Sequence, residues 1–293
     1  MVLGSFLGDS LALGAHWIYD TKEIEDSFGR VDHLLKPLPD SYHPTKEKGD
    51  FTHIGDQTFI LLESLAARNG FDLDDFSTRW QKFFKNYHGY FDKATKATLS
   101  GYAAGKSPLD AGSTSQELAG ASRVAPLVYY EKDDLEKLVQ DARFQTMMTH
   151  HSPVCLESAD FFVRVVKHVL DGVPPVAAMQ EVSREQFVDS PISDWVQAGI
   201  DSKDTETRQA IAAFGQGCST QSAFPGVVHL IARYENDLRE ALVQCVMAGG
   251  DSAARGLLAG MVLGAHLGFE SLPGEWLSEL RKRERIYELL NKR

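Results

Sequence analysis

With 293 residues, 43% of them apolar and 24% charged, the chain is long enough to bury a sizeable core, and its composition excludes a disordered, collagenous or disulfide-built protein. Its formal charge of −11 repels phosphate backbones and anionic lipid, so neither a nucleic acid nor a membrane is an expected partner. No linker-like stretch or repeat divides it, which predicts one domain over residues 1–293.

The opening residues, Met1 to Gly14, lack the basic lead and small-residue cleavage site of a signal peptide. Gly4 and Gly8 stand four apart there, on one face of a helix, and lead into Asp9-Ser10. From Arg30 to His53 the sequence has no helical or strand period and carries Pro37, Pro39 and Pro44 among polar residues. It predicts a long, mobile loop, a candidate lid whose Glu47 is a candidate general acid/base. Gly55-Asp56-Gln57-Thr58 follows and runs into the nearly all-apolar Phe59 to Ala67, a central helix. An Asp in its first turn has an ordinary explanation as a cap that complements the helix dipole.

Asp72 and Asp133 are expected N-caps for helices through Phe76 to Phe84 and Leu135 to Phe144, and Ser152 for one through Phe161 to Leu170. Gly172 stops that helix, and Pro174-Pro175 starts the next. Further helical periods cover Ala210 to Phe214, Val227 to Ala232 and Leu277 to Leu290. Cysteines 155, 218 and 245 are odd in number and have no C-x-x-C spacing, so free thiols in a reducing compartment are expected. Cys218, with His150 or His229 as base, is a weak candidate nucleophile. The longest apolar run, Gly256 to Phe269, is too short to span a bilayer, so a cytoplasmic location is expected.

The most specific pattern is Gly249-Gly250-Asp251-Ser252-Ala253-Ala254-Arg255, followed by Gly256, Gly260, Gly264 and Gly268. A helical glycine costs about 1 kcal/mol relative to alanine, so four cost roughly 4 kcal/mol unless a neighbour uses their bareness. A second smooth helix, the one bearing Gly4 and Gly8, is the expected neighbour. Arg255, four residues after Asp251, reads either as an i,i+4 ion pair or as a fixed cation facing a ligand.

In order, these motifs resemble the ADP-ribosylglycohydrolase family: Gly4-x-x-x-Gly8-Asp9-Ser10, the acidic start of the central helix, Gly120-Ala121-Ser122-Arg123 before Pro-Leu, Thr149-His150, and the terminal Gly-Gly-Asp-Ser helix. The resemblance implies an all-α, single-domain orthogonal helical bundle whose cleft holds two Mg²⁺ ions. It implies hydrolysis of an N- or O-glycosidic bond between ribose and a side chain or small group. The ligand would be an ADP-ribose-like small molecule or an ADP-ribosylated protein, with Gly120, Ser122, His150 and Arg255 as ligand-binding positions. Asp56, Asp251 and Gln57 take the implied metal positions, and Asp56 and Asp251, with Glu47, the implied catalytic ones.

The family's Thr-Asp-Asp is matched here to Gly55-Asp56-Gln57, and its Asp-x-Asp-Thr to Asp251-Ser252-Ala253-Ala254. Two carboxylates do not balance two dications, so at most one weakly held Mg²⁺ is expected unless Asp9, Asp50 or Glu47 moves in. The Gly-Gly-Asp-Ser-Ala-Ala-Arg-Gly pattern also resembles a subgroup that includes certain lens crystallins. A catalytically inactive binding or structural protein is therefore the alternative to a hydrolase.

Overall fold

The first helix and the last long one lie against each other along their glycines. In the computed structural model, which describes residues 1–293, a Cβ on Gly8 would collide with the Gly256 backbone, and one on Gly4 with that of Gly260. The intervals of four are used as the sequence predicts, except that Gly268 lies past the helix end with φ +79°.

Around this pair the chain is helical throughout. In order the helices are α1 (Val2–Ala12), α2 (Thr21–Phe28), α3 (His53–Arg68), α4 (Leu73–Lys85), α5 (Lys93–Ala103), α6 (Ala125–Glu131), α7 (Leu135–Met147) and α8 (Pro153–Leu170). They continue with α9 (Pro175–Gln186), α10 (Pro191–Asp201), α11 (Thr207–Phe214), α12 (Thr220–Arg233), α13 (Leu238–Met247), α14 (Ser252–Leu267), α15 (Gly274–Glu279) and α16 (Arg283–Leu290). No strand forms; two isolated bridges are the only β pairing. One continuous apolar core runs from Val2 to Leu289 and takes in α1, α3, α8, α12 and α14.

Local chemistry accounts for the helix ends. Thr52 caps α3 by accepting from the N–H groups of Ile54 and Gly55, and Asp72 caps α4 by accepting from Asp75. The cap of α7 is Asp134 rather than Asp133, which pairs instead with Arg293. Ser152 stands at the cap position of α8 without a side-chain bond. The segment from Leu277 to Leu290 is not one helix. It breaks at Leu280, where Arg281 N–H donates to the Gly49 carbonyl at 3.0 Å and brings Lys282 over the start of α3.

Residues 29–52 form the expected irregular connection. Its Leu34, His43 and Phe51 are buried, so the segment is anchored rather than free along its length. No helix is long and apolar enough to cross a membrane.

Candidate functional site

The segment from Ser113 to Gly120 is stitched on both flanks. Ser113 N–H donates to the Thr149 carbonyl at 3.0 Å and His151 N–H returns a 2.7 Å bond to Ser113. On the other side Leu118 N–H donates to the Cys218 carbonyl and Thr220 N–H to the Gln116 carbonyl. These contacts bring Glu117, His150 and Cys218 together from three distant parts of the sequence. Asp92, the cap of α5, completes the group: one ligand atom each from Asp92, Glu117 and His150 lies within 4.8 Å of the others.

Asp92 and Glu117 line a cavity of about 190 Å³ whose remaining walls are Trp17, Tyr19, Tyr42, Tyr90, Lys93 and Cys218. Trp17 meets Tyr42 and Tyr90 edge-on at 5.0 and 5.1 Å. It has φ +67°, a strained conformation for a bulky residue, held by its N–H bond to the Gly250 carbonyl at 3.0 Å. Gly249 and Gly250 both have positive φ, which lets the turn before α14 make that contact.

Electrostatically the cavity is acidic. Burial opposes ionisation of Asp92, but the His53 hydrogen bond at 3.0 Å, His53 and His150 charge and the Thr95 N–H hold its carboxyl well below the usual range. Glu117 accepts no side-chain hydrogen bond; its nearest partner is His150 Nε2 at 3.9 Å. Beneath Cys218, buried Asp251 has its pKa raised, first by burial and also by Glu117, against the lowering charge of Arg255. Burial, then Asp251 and Glu117, pushes the Cys218 thiol up, which removes it as a nucleophile at neutral pH. His229 lies elsewhere, bonded to Ser202 and Thr207.

Asp56 is 3% exposed and faces a different, larger cavity of about 740 Å³. Its carboxylate accepts from Lys46, from Lys282 at 3.2 Å and from the Tyr87 hydroxyl at 3.2 Å. The amide oxygen of Gln57 is saturated: it accepts from Arg123 at 2.6 Å and Trp80 at 2.8 Å, while Nε2 donates to the His53 carbonyl. Asp251 lies near His16, Nε2 to Oδ1 3.7 Å, and no contact joins it to Asp56. Two ammonium groups already stand where a dication would bind Asp56, and Gln57 has no lone pair left over, so these residues do not fit the implied Mg²⁺ pair.

Other expected positions are also accounted for. α3 starts at His53, so Asp56 lies in its first turn as expected, but the helix is capped by Thr52 and not by that carboxylate. Asp9 binds Thr52 through N–H and Oγ1, at 2.8 and 2.6 Å, and packs where a Gly55 Cβ would be. Asp50 accepts from Glu47 N–H and lies 3.5 Å from Arg281. Glu47 is exposed and pairs with Lys36 at 2.8 Å. Arg255 makes no ion pair with Asp251. Asp251 sits before the helix and turns toward His16, while the buried guanidinium donates to the Gly249 and Gln216 carbonyls. Gly120 packs against the His150 ring, and buried Ser122 donates to the Ala119 carbonyl.

The fold and the cavity define an all-α protein with an acidic, aromatic-walled cleft beside the Gly-Gly-Asp turn. The chain belongs to the ADP-ribosylglycohydrolase family, whose model matches residues 1–293. Crystallin J1A of Tripedalia cystophora is 22% identical over 98% of this chain and 92% of its own length. Human ADP-ribosylhydrolase ARH3 is 21% identical over 93% and 86%. A solved structure, an ADP-ribosylglycohydrolase-related protein complex, superposes with a TM-score of 0.78 at 23% identity, covering 99% of this chain and 94% of that one.

Proposed function

We propose that this chain hydrolyses a ribosyl glycosidic bond in the cavity beneath Trp17, without a binuclear Mg²⁺ centre. The observation that carries the reading is the Glu117 carboxylate: half-buried, facing the cavity and accepting no hydrogen bond, it is free to take the proton of an attacking water. The glycosidic pair leaves with the departing nitrogen or oxygen, water oxygen bonds to the anomeric carbon, and the proton that Glu117 takes from that water passes to the leaving group. The ionised Asp92 and the nearby Asp251 balance the oxocarbenium-like charge that develops between these steps.

A cavity of about 190 Å³ is smaller than the roughly 300–1,000 Å³ of pockets for drug-sized ligands, so it takes the ribosyl end of an ADP-ribose-like ligand. Its two carboxylates outnumber the Lys93 ammonium and oppose a diphosphate, which therefore stays outside. In this reading Asp56 anchors Lys46 and Lys282 instead of a metal, and Glu47 stays at the surface.

Release of free ADP-ribose from ADP-ribosylated arginine and serine peptides tests the reading. Glu117→Gln should lower kcat by on the order of a hundredfold with little change in KM. Equal rates for the variant and the unmodified protein would overturn it. The second reading, a ligand-binding or structural protein without activity, is favoured by the ammonium groups on Asp56 and by the likeness to crystallin J1A. It predicts no turnover on either peptide.

A further inference from the structure

We propose that Asp92, Glu117 and His150 form a binding site for a single transition-metal dication of the manganese–zinc type, opening on the aromatic cavity. This deepens the reading above, since a metal-held water would stand where Glu117 otherwise holds it. The binding itself is independent of any hydrolysis.

The ligand atoms are convergent and two of the three residues are deeply buried. Asp92 and His150 are 5% and 2% exposed, and the three donor atoms lie within 4.8 Å of one another. Ligands on a tetrahedral ion sit roughly 3.4 Å apart, given metal–ligand bonds of about 2.1 Å. The three atoms are therefore wider apart than a bound ion would hold them and must draw together, and Glu117, the one partly exposed side chain, has no hydrogen bond that holds its carboxylate back.

His150 supplies the second, independent observation. Its Nε2 is buried without a hydrogen-bond partner and faces the Glu117 carboxylate, an unusual state for a polar atom. Its Nδ1 is 2.9 Å from Thr149 Oγ1, and that hydroxyl accepts from Arg123 at 2.7 Å. With the proton on Nδ1 donated to Thr149, Nε2 presents a lone pair toward the two carboxylates, the arrangement that orients a metal-binding imidazole. The ring is fixed in place by Gly120: a Cβ there would lie 2.6 Å from His150 Cγ.

Charge and donor type then select the ion. Two carboxylates with Asp251 nearby favour a cation, and an imidazole nitrogen in the set favours a borderline transition metal over Mg²⁺. Three protein ligands leave a coordination position for water on the cavity side. His16, His43 and His53 also carry unpartnered nitrogens, but their rings stack, with interplanar angles of 17° and 28°, so their in-plane lone pairs do not share a focus.

The test is calorimetric titration of the chelator-treated full chain with Zn²⁺, Mn²⁺ and Mg²⁺, with no substrate present. One Zn²⁺ or Mn²⁺ per chain is expected, with Mg²⁺ weaker by at least about tenfold. Glu117→Gln, which breaks no hydrogen bond, should weaken Zn²⁺ on the order of tenfold or more, while His43→Gln should not. Anomalous diffraction from a Zn²⁺-loaded crystal should place the ion on His150 Nε2. Absence of stoichiometric Zn²⁺ and Mn²⁺ binding, indifference to Glu117→Gln, or loss on His43→Gln would overturn the site. Because no turnover is read, these outcomes stay separate from those of the peptide assay.

Discussion

Gln57 stands at a position where the family resemblance implies a metal ligand, yet its amide oxygen joins the indole N–H of Trp80 to the guanidinium of Arg123. Arg123 is 1% exposed, and burial lowers its pKa to about 10, so its charge depends on neutral acceptors. Gln57→Leu should cost about 3 kcal/mol in chemical denaturation, because it strands a buried cation and an indole N–H. A loss under 1 kcal/mol would mean that water or Thr149 replaces the amide. His43 makes a second prediction. Burial, then the charges of His53 and Lys46, pushes its pKa down to about 3, whereas an unfolded histidine titrates near 6.5. Its contribution to stability is complete above pH 6.5 and is lost as pH falls, because the unfolded chain takes up a proton that the native state refuses. Between pH 6.5 and 5 the loss is about 2 kcal/mol. Asp9, raised to about 6 mainly by burial, acts in the opposite sense, its contribution falling as pH rises from 3.8 to 6. His43→Gln should therefore flatten the acid limb of a urea-midpoint profile without removing the Asp9 slope, and an unchanged limb would show that His43 protonates in place.

At the level of helices, periodicity and caps announced most of the elements, and the glycine intervals announced the α1–α14 contact, because close approach of two backbones demands bare Cα atoms at one spacing on both. The spacing did not distinguish Gly268, which serves the helix end, from Gly256 and Gly260, which serve the contact. Gly8→Ala should destabilise by about 2–3 kcal/mol, since its Cβ meets rigid backbone, whereas Gly268→Ala meets open space and costs about 1 kcal/mol for its positive φ. Similar losses at the two sites would refute the difference in role. The break at Leu280 was hidden for a related reason. Leu277 to Leu290 keeps an apolar period, and only the long-range Arg281–Gly49 bond ends the first helix. The cavity was less legible still: Asp92, Glu117, His150 and Trp17 come from four separated loops and caps, and no local spacing joins them. The hints nearby were His150, a ligand-binding position implied by the family resemblance, Cys218, and the run His16-Trp17-Ile18-Tyr19, an aromatic cluster straight after the first glycine helix.

Across the whole molecule the question is where charge is balanced, and this decides how the protein responds to Mg²⁺. Asp56 is covered by Lys46 and Lys282, Lys282 also lying 4.3 Å from the Phe59 ring centre, and Arg255 is spent on backbone carbonyls. Binding Mg²⁺ at Asp56 would require two ammonium groups to leave and would gain one carboxylate, against the several oxygen ligands such an ion needs. Thermal midpoints in millimolar Mg²⁺ and in EDTA should therefore agree to within about 1 °C, whereas a ligand present at 100 times its dissociation constant and bound only to the folded state adds about 2.7 kcal/mol. Gln57→Asp with Ala253→Asp should not by itself create Mg²⁺ dependence, because an Asp at 57 faces the Arg123 cation and Lys46 and Lys282 still cover Asp56. A gap between the two conditions should appear only when Lys46→Met and Lys282→Met are added, freeing the Asp56 carboxylate. A large Mg²⁺ shift in the unmodified protein, abolished by Asp56→Ala, would show that the lysines yield to the ion and that the charge balance at Asp56 is a resting state which Mg²⁺ displaces.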